Sequence, residues 1–158
     1  MIKRRDPAGY LLVTSDKLDL EDRRIAAKTY LDGMLAKKIW YLYPRTSFAK
    51  QMRAGDPVYF YVAGKGACSG LVAARAVLGR DFKQGADSFD DFGFPIFRKF
   101  GLEKVEYLKT PFALRDRISA LSFGKNSGSA GKKWGSVLMG GAKPLLQEDL
   151  ALFEAGNV

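Results

Sequence analysis

The sequence predicts an α+β fold built on a largely antiparallel sheet, and three observations carry that prediction. One long helical pattern interrupts a series of short β-prone segments, and a second helix closes the chain. That is the order of an α+β protein, not of a regularly alternating α/β one. Glycine-marked corners separate the strands and favour a sheet that curls toward a barrel. The chain has 158 residues, 47% hydrophobic and 27% charged. This is the mix of one ordinary globular domain over 1–158, which can bury about 70% of the surface its unfolded chain exposes.

Residues 10–14, Tyr-Leu-Leu-Val-Thr, form the first apolar, β-prone run. Residues 15–19 carry turn and cap chemistry. The spacing predicts a helix over 20–37, with Ala27, Tyr30, Leu31, Met34 and Leu35 on one face. Glu21 and Asp22 would occupy its first turn and Lys37 and Lys38 its end, as the helix dipole favours. An aromatic strand follows over 39–43, stopped by Pro44. Residues 46–53 read as a short basic helix and Gly55-Asp56 as a turn. Residues 58–62, Val-Tyr-Phe-Tyr-Val, are a strong strand signal. Gly64-Lys65-Gly66 reads as a hairpin turn and 70–78 as the returning strand. Residues 81–100 interleave phenylalanines with acids, which fits a structured loop over the domain. Residues 103–108 alternate as a strand, 117–123 fit a strand or a loop, and 126–133 are rich in Gly, Ser and Lys. Residues 143–146 lead into a last helix over 147–154, ended by Gly156.

Composition excludes much chemistry. The chain has no histidine and one cysteine, Cys68. Histidine-based triads, a histidine general base and His-ligated or multi-cysteine metal sites cannot be built. Cys68 sits in an apolar, glycine-rich stretch and reads as a buried, inert thiol. No cofactor and no metal are expected. No apolar run approaches the ~20 residues that span a bilayer, and the basic start lacks the apolar length of an export signal. A reducing cytoplasm suits this composition. Net charge is +9, and nearly all of the excess lies in the first half. Such a field favours polyanions, nucleic acid or an anionic membrane surface.

Gly64-Lys65-Gly66 with Gly70 resembles a phosphate loop only superficially, because a strand pattern follows where a helix should open. Asp87, Asp90 and Asp91 lack the alternation of a calcium loop and read as a solvated acidic loop. The stretch 37–53 is more informative. It sets Trp40, Tyr41, Tyr43 and Phe48 among Lys37, Lys38, Arg45, Lys50 and Arg53. Strand side chains alternate faces, so one set can fill the core while the other reaches a cleft. Aromatic faces stack bases while cations track phosphates.

Trp40, Arg45, then 52–61 (Met-Arg-Ala-Gly-Asp-Pro-Val-Tyr-Phe-Tyr), then Gly70-Leu71-Val72-Ala73 resemble the EVE domain of the PUA-like superfamily, a relative of the YTH-type readers. The closing segment 143–150 resembles the last helix of these domains. The resemblance implies a PUA-like curled antiparallel β-barrel of five to six strands with flanking helices. It also implies a pocket that takes a flipped, often methylated base. Trp40 matches the first wall of that pocket, with Tyr41, Leu42 and Tyr43 lining it and Tyr61 passing beneath. Phe94 or Phe97 would supply the second wall, and Lys125, Asn126 and Trp134 would close it or meet the backbone. The chain departs from the family pattern at Pro44-Arg45-Thr46 and at Tyr61-Val62-Ala63.

The expected function is non-catalytic binding of single-stranded or flipped-base RNA or DNA. Lys37, Lys38, Arg45, Lys50, Arg53, Lys125, Lys132 and Lys133 are the candidate phosphate contacts. Two alternatives belong to other classes. One is an enzyme on nucleic acid or nucleotides using carboxylate, lysine or tyrosine chemistry, with Asp56 and Arg75 as conceivable participants. The other is a basic module that docks an acidic protein.

Overall fold

The structure is a computed structural model and describes residues 7–18, 21–64, 66–82, 88–90, 93–117, 120–122 and 141–155. Its elements run β1 (Gly9–Thr14), β2 (Lys17–Leu18), β3 (Arg24–Ile25), α1 (Ala27–Lys37), β4 (Ile39–Leu42), β5 (Pro57–Val62), β6 (Leu71–Phe82), β7 (Arg98–Ala113), β8 (Ala142–Leu145) and α2 (Gln147–Ala155). Six strands form one curled sheet in the order β4-β7-β6-β5-β1-β8, and β2 pairs with β3 separately. The expected α+β curled sheet is what forms, with one parallel pair, β1 with β5, among antiparallel ones. A parallel pair needs a crossover connection, and α1 lies in it.

The run in β5 is continuously apolar because both of its faces are covered. Val58, Phe60 and Val62 join Leu12, Leu31 and Leu35 in one hydrophobic cluster. Tyr59 and Tyr61 join Leu11, Leu150 and Phe153 in another. One helix thus packs on each side of the sheet. Register shifts between Phe60 and Tyr61 and at three places along β6 and β7 mark bulges. Bulges add local twist and bend the strand that carries them, which curls this sheet.

Several elements differ from the sequence reading. The helix expected from residue 20 begins at Ala27, because β2 and β3 occupy the stretch before it. Glu21 and Asp22 are therefore outside its first turn. Ala26 at the N-cap offers no side-chain acceptor. Asp16 instead accepts the Ala27 N–H at 2.9 Å, so the cap comes from a distant residue. The short helix expected over 46–53 is a series of turns. Phe48 has φ 62°, a left-handed conformation that breaks a right-handed helix. The strand expected over 103–108 is the middle of the much longer β7. Residues 117–123 form no strand as far as they are described; turn and helical residues follow a 3-10 turn at Leu114–Asp116. The lead-in at 143–146 contains β8, where Pro144 pairs with Tyr10 and is tolerated on a sheet edge. Cys68 is half-buried rather than sealed.

Arg98 ties the irregular segment after β4 to the sheet. Its guanidinium donates to the carbonyls of Ala49 and Met52 at 2.7 Å each and to Asp81 at 2.7 Å. Arg98→Met is expected to cost about 2 kcal/mol, because charge-assisted bonds are lost and two carbonyls are left without their donor. A urea titration of both chains measures this as a lowered midpoint at unchanged slope.

Candidate functional site

A pocket of about 530 Å³ opens between the β2 ribbon, the turn after β4 and the loop before β7. Its walls are mostly apolar: Leu18, Pro44, Phe94, Pro95 and the ring of Tyr43. Lys17, Arg45 and Asp16 bring the charges. The volume lies in the range of small-molecule and cofactor sites, roughly 300–1,000 Å³.

Each wall has a local cause. Tyr43 follows the last residue of β4. Its N–H donates to Thr46 Oγ1 at 3.0 Å while its carbonyl accepts the Thr46 N–H at 3.0 Å, a closed turn that puts Pro44 and Arg45 at the tip. Phe94 stands on a tight loop held by Asp90. Asp90 N–H donates to the Phe94 carbonyl at 2.9 Å, and Asp90 Oδ1 accepts the Phe94 N–H at 2.9 Å. Gly93, with φ 84°, supplies the left-handed corner. Asp90 is buried, so the expected solvated acidic loop is corrected at this position. The apolar surroundings require its oxygens to be bonded, and they are. Asp87 and Asp91 lie outside the described residues.

The same carboxylate joins loop to sheet. Tyr43 Oη donates to Asp90 Oδ2 at 2.6 Å and lies 3.2 Å from Tyr30 Oη. Burial, then the neighbouring Tyr30 and Asp90, push the Tyr43 phenol well above its ordinary range, so it stays a neutral donor. Lys17 Nζ sits 4.6 Å from the Tyr30 ring centre and 5.4 Å from that of Tyr43. These are cation–π distances. Burial lowers the Lys17 pKa, and the nearby Asp90 works against that shift. Asp16 anchors the ribbon. Its Oδ1 accepts the Ala27 N–H at 2.9 Å and its Oδ2 the Arg24 Nε–H at 3.0 Å. A Cβ on Gly64 would collide with this carboxylate, so the β5–β6 connection needs glycine there.

Of the residues singled out by sequence, the structure brings Tyr43, Arg45 and Phe94 to one pocket. Trp40 is a correction. Expected as the first wall, it is 6% exposed, with its ring centre 4.9 Å from Phe60 and 6.0 Å from Tyr30. It sits behind Tyr30, inside the cluster that α1 covers. Tyr41 and Leu42 are buried there too, so the division of β4 into a core face and a cleft face does not hold. Tyr61 is corrected for a different reason. It points into the cluster on the other face of the sheet, away from Trp40. Phe97 is exposed and is not in the pocket lining; its N–H donates to the Leu42 carbonyl at 2.7 Å and continues the β4–β7 edge.

The cations divide similarly. Arg45 is exposed on the pocket rim. Lys37 and Lys38 are exposed at the far end of α1, about 15 Å along its axis from the end that Asp16 caps. Lys50 and Arg53 are exposed on the turns after Phe48. Lys125, Asn126, Lys132, Lys133 and Trp134 lie outside the described residues. Sequence reasoning missed Lys17 and Leu18 and read Asp90 only as part of an acidic loop. Nothing local ties them to the pocket, because Tyr43, which both Lys17 and Asp90 meet, lies elsewhere in the chain.

Other chemistry is thin among the described residues. Asp56 Oδ2 accepts the Arg53 N–H at 2.8 Å, a turn role. Arg75 pairs with Glu106 across β6 and β7, beside a smaller depression of about 380 Å³ near Tyr59. Among the described residues no group of three His, Cys, Asp or Glu could hold a metal, and no helix is long and apolar enough to cross a membrane.

No family model matches the chain, and no curated protein matches it by sequence. Solved structures do match it in shape. The DUF55 domain of human thymocyte nuclear protein 1 superposes with a TM-score of 0.56 at 11% identity, over 94% of this chain and 98% of that one. A protein from Pseudomonas putida gives 0.57 at 12% identity, over 96% and 100%. One from Rhodopseudomonas palustris gives 0.53 at 19%, over 95% and 92%. At these identities the likeness is one of fold: this chain has the architecture of the DUF55 domain along nearly its whole length.

Proposed function

We propose that this chain binds nucleic acid without turning it over, and that it seats one unstacked base, methylated or unmodified, in the pocket beside Tyr43 and Phe94. The observation that carries the reading is the pocket itself. It combines aromatic and apolar walls, an exposed arginine on the rim and a half-buried lysine inside. Bases stack on aromatic faces, and phosphates give affinity through cations such as Arg45. The net charge of +9 supports a polyanionic partner. The EVE-like segments around Trp40 and 52–61 point the same way. Trp40 itself then acts from behind the pocket, by backing Tyr30.

The test is fluorescence anisotropy with a labelled nine-nucleotide single strand, as RNA and as DNA. Phe94 is 48% exposed, so Phe94→Ala is expected to leave thermal stability nearly unchanged. It is expected to weaken binding by roughly 5- to 100-fold, the range for losing one base–aromatic stack. Affinity should fall steeply as salt rises, and mass spectrometry should recover the strand intact. Binding by Phe94→Ala equal to that of the parent chain, or none at low salt, would refute the reading.

A further inference from the structure

We infer that Phe89 is a second stacking platform, which takes the base next to the one seated in the pocket. This rests on the reading of the pocket as a base site. It follows from how the loop before β7 pairs with itself.

Phe89 and Pro95 form an antiparallel bridge within that loop. The Ile96 N–H donates to the Ser88 carbonyl at 3.0 Å and the Asp90 N–H to the Phe94 carbonyl at 2.9 Å. These two bonds flank the bridge, so Phe89 and Pro95 are a non-hydrogen-bonded pair. Side chains of such a pair share one face and approach closely. Pro95 is a wall of the pocket. The Phe89 side chain therefore stands beside that wall, outside the lining itself. It joins neither hydrophobic cluster and is 56% exposed, so core packing does not account for a ring there.

A strand that seats one base in the pocket has its next base within reach of the rim. Every base has a π face, so an aromatic platform at the rim accepts a neighbour of any sequence. The charge of the loop favours the base over the backbone. Asp87 and Asp91 flank Phe89 in the sequence, and negative charge disfavours a phosphate. Asp90 is buried, with both carboxylate oxygens bonded. The uncharged base is then the part of a strand that suits this loop, and phosphates fall to cations such as Arg45.

The experiment uses the whole chain and nine-nucleotide DNA strands that are abasic at all positions but one or two. One-base strands carry A, C, G or T at the centre, and the tightest binder fixes the central base. Two-base strands add an adenine on its 5′ or its 3′ side. One of the two is expected to bind about fivefold or more tightly than the one-base strand, as one added stack provides. This exceeds the factor of about two that a second seatable base gives by statistics alone. Phe89→Ala is expected to melt with the parent chain, since its ring is exposed. It is expected to cut the gain to about twofold or less and to leave the one-base strand within about twofold. If neither neighbour adds more than that, or if the gain survives in Phe89→Ala, the inference falls while the base site stands. Equal weakening of one-base and two-base strands would make Phe89 part of the pocket wall and also overturn it. If no one-base strand improves on a fully abasic one, the base site falls and this inference with it. Should Phe89→Ala not fold, Phe89→Leu, which keeps apolar bulk without the ring face, is measured against the same thresholds.

Discussion

Trp40→Ala is expected to destabilise the protein by about 3–5 kcal/mol, the range for truncating a fully packed Trp or Phe side chain to alanine. The indole lies between Phe60 of β5 and Tyr30 of α1, with 6% of its surface exposed. Its removal opens a cavity at the contact between helix and sheet. Tyr30 would lose its backing there, and Tyr30 is bonded to Tyr43 on the pocket side. The expected result is therefore a large drop in the urea midpoint, with nucleic-acid binding lost in step with folding. Trp40→Phe keeps much of the packing and is expected to bind within about twofold of the parent chain. A Trp40→Ala chain of parental stability with binding selectively lost would instead make the indole a direct base contact.

Asp149→Ala is expected to cost about 3 kcal/mol. Asp149 is fully buried near the start of α2. Its carboxylate accepts the Leu146 N–H at 2.8 Å and the Ser122 N–H at 2.8 Å, and it also takes the Ser122 hydroxyl. Alanine leaves two backbone donors and a hydroxyl without their acceptor, at roughly 1–3 kcal/mol for each buried group that stays unpaired. For a chain of this size the corresponding loss in Tm is about 6–12 °C, measurable by differential scanning calorimetry. Asp149→Asn keeps one acceptor oxygen and is expected to recover part of the loss. Equal melting of Asp149→Ala and the parent chain would show that water replaces these bonds freely.

The elements legible in the sequence were those whose signal is local. The run 58–62 became β5 and the closing helix became α2 almost residue for residue. Elements that depend on pairing with another segment of the chain were misread. Lys17 and Leu18 look like turn residues, and they become a strand because Arg24 and Ile25 return beside them. Residues 143–145 look like a helix lead-in, and they become β8 because β1 offers an open edge. Phe48 could have continued a helix, but its left-handed φ ends one.

The candidate site was legible in the same partial way. Tyr43 and Arg45 were flagged by residue type and place, and Phe94 through the family resemblance, as one of two candidates with Phe97. Lys17 and Asp90 were not flagged for the pocket, because their roles exist only through rings and bonds supplied across the fold. Sequence alone determined the class of fold, the basic charge and the lack of any histidine chemistry. The tertiary structure decided which aromatic residues are interior and which are open. Strand periodicity assigns side chains to two faces, but it carries no information on whether a helix covers one face or both. Here α1 and α2 cover both, so the indole went inward and the open ring positions fell to Tyr43, where the strand ends, and Phe94, on the loop that meets it.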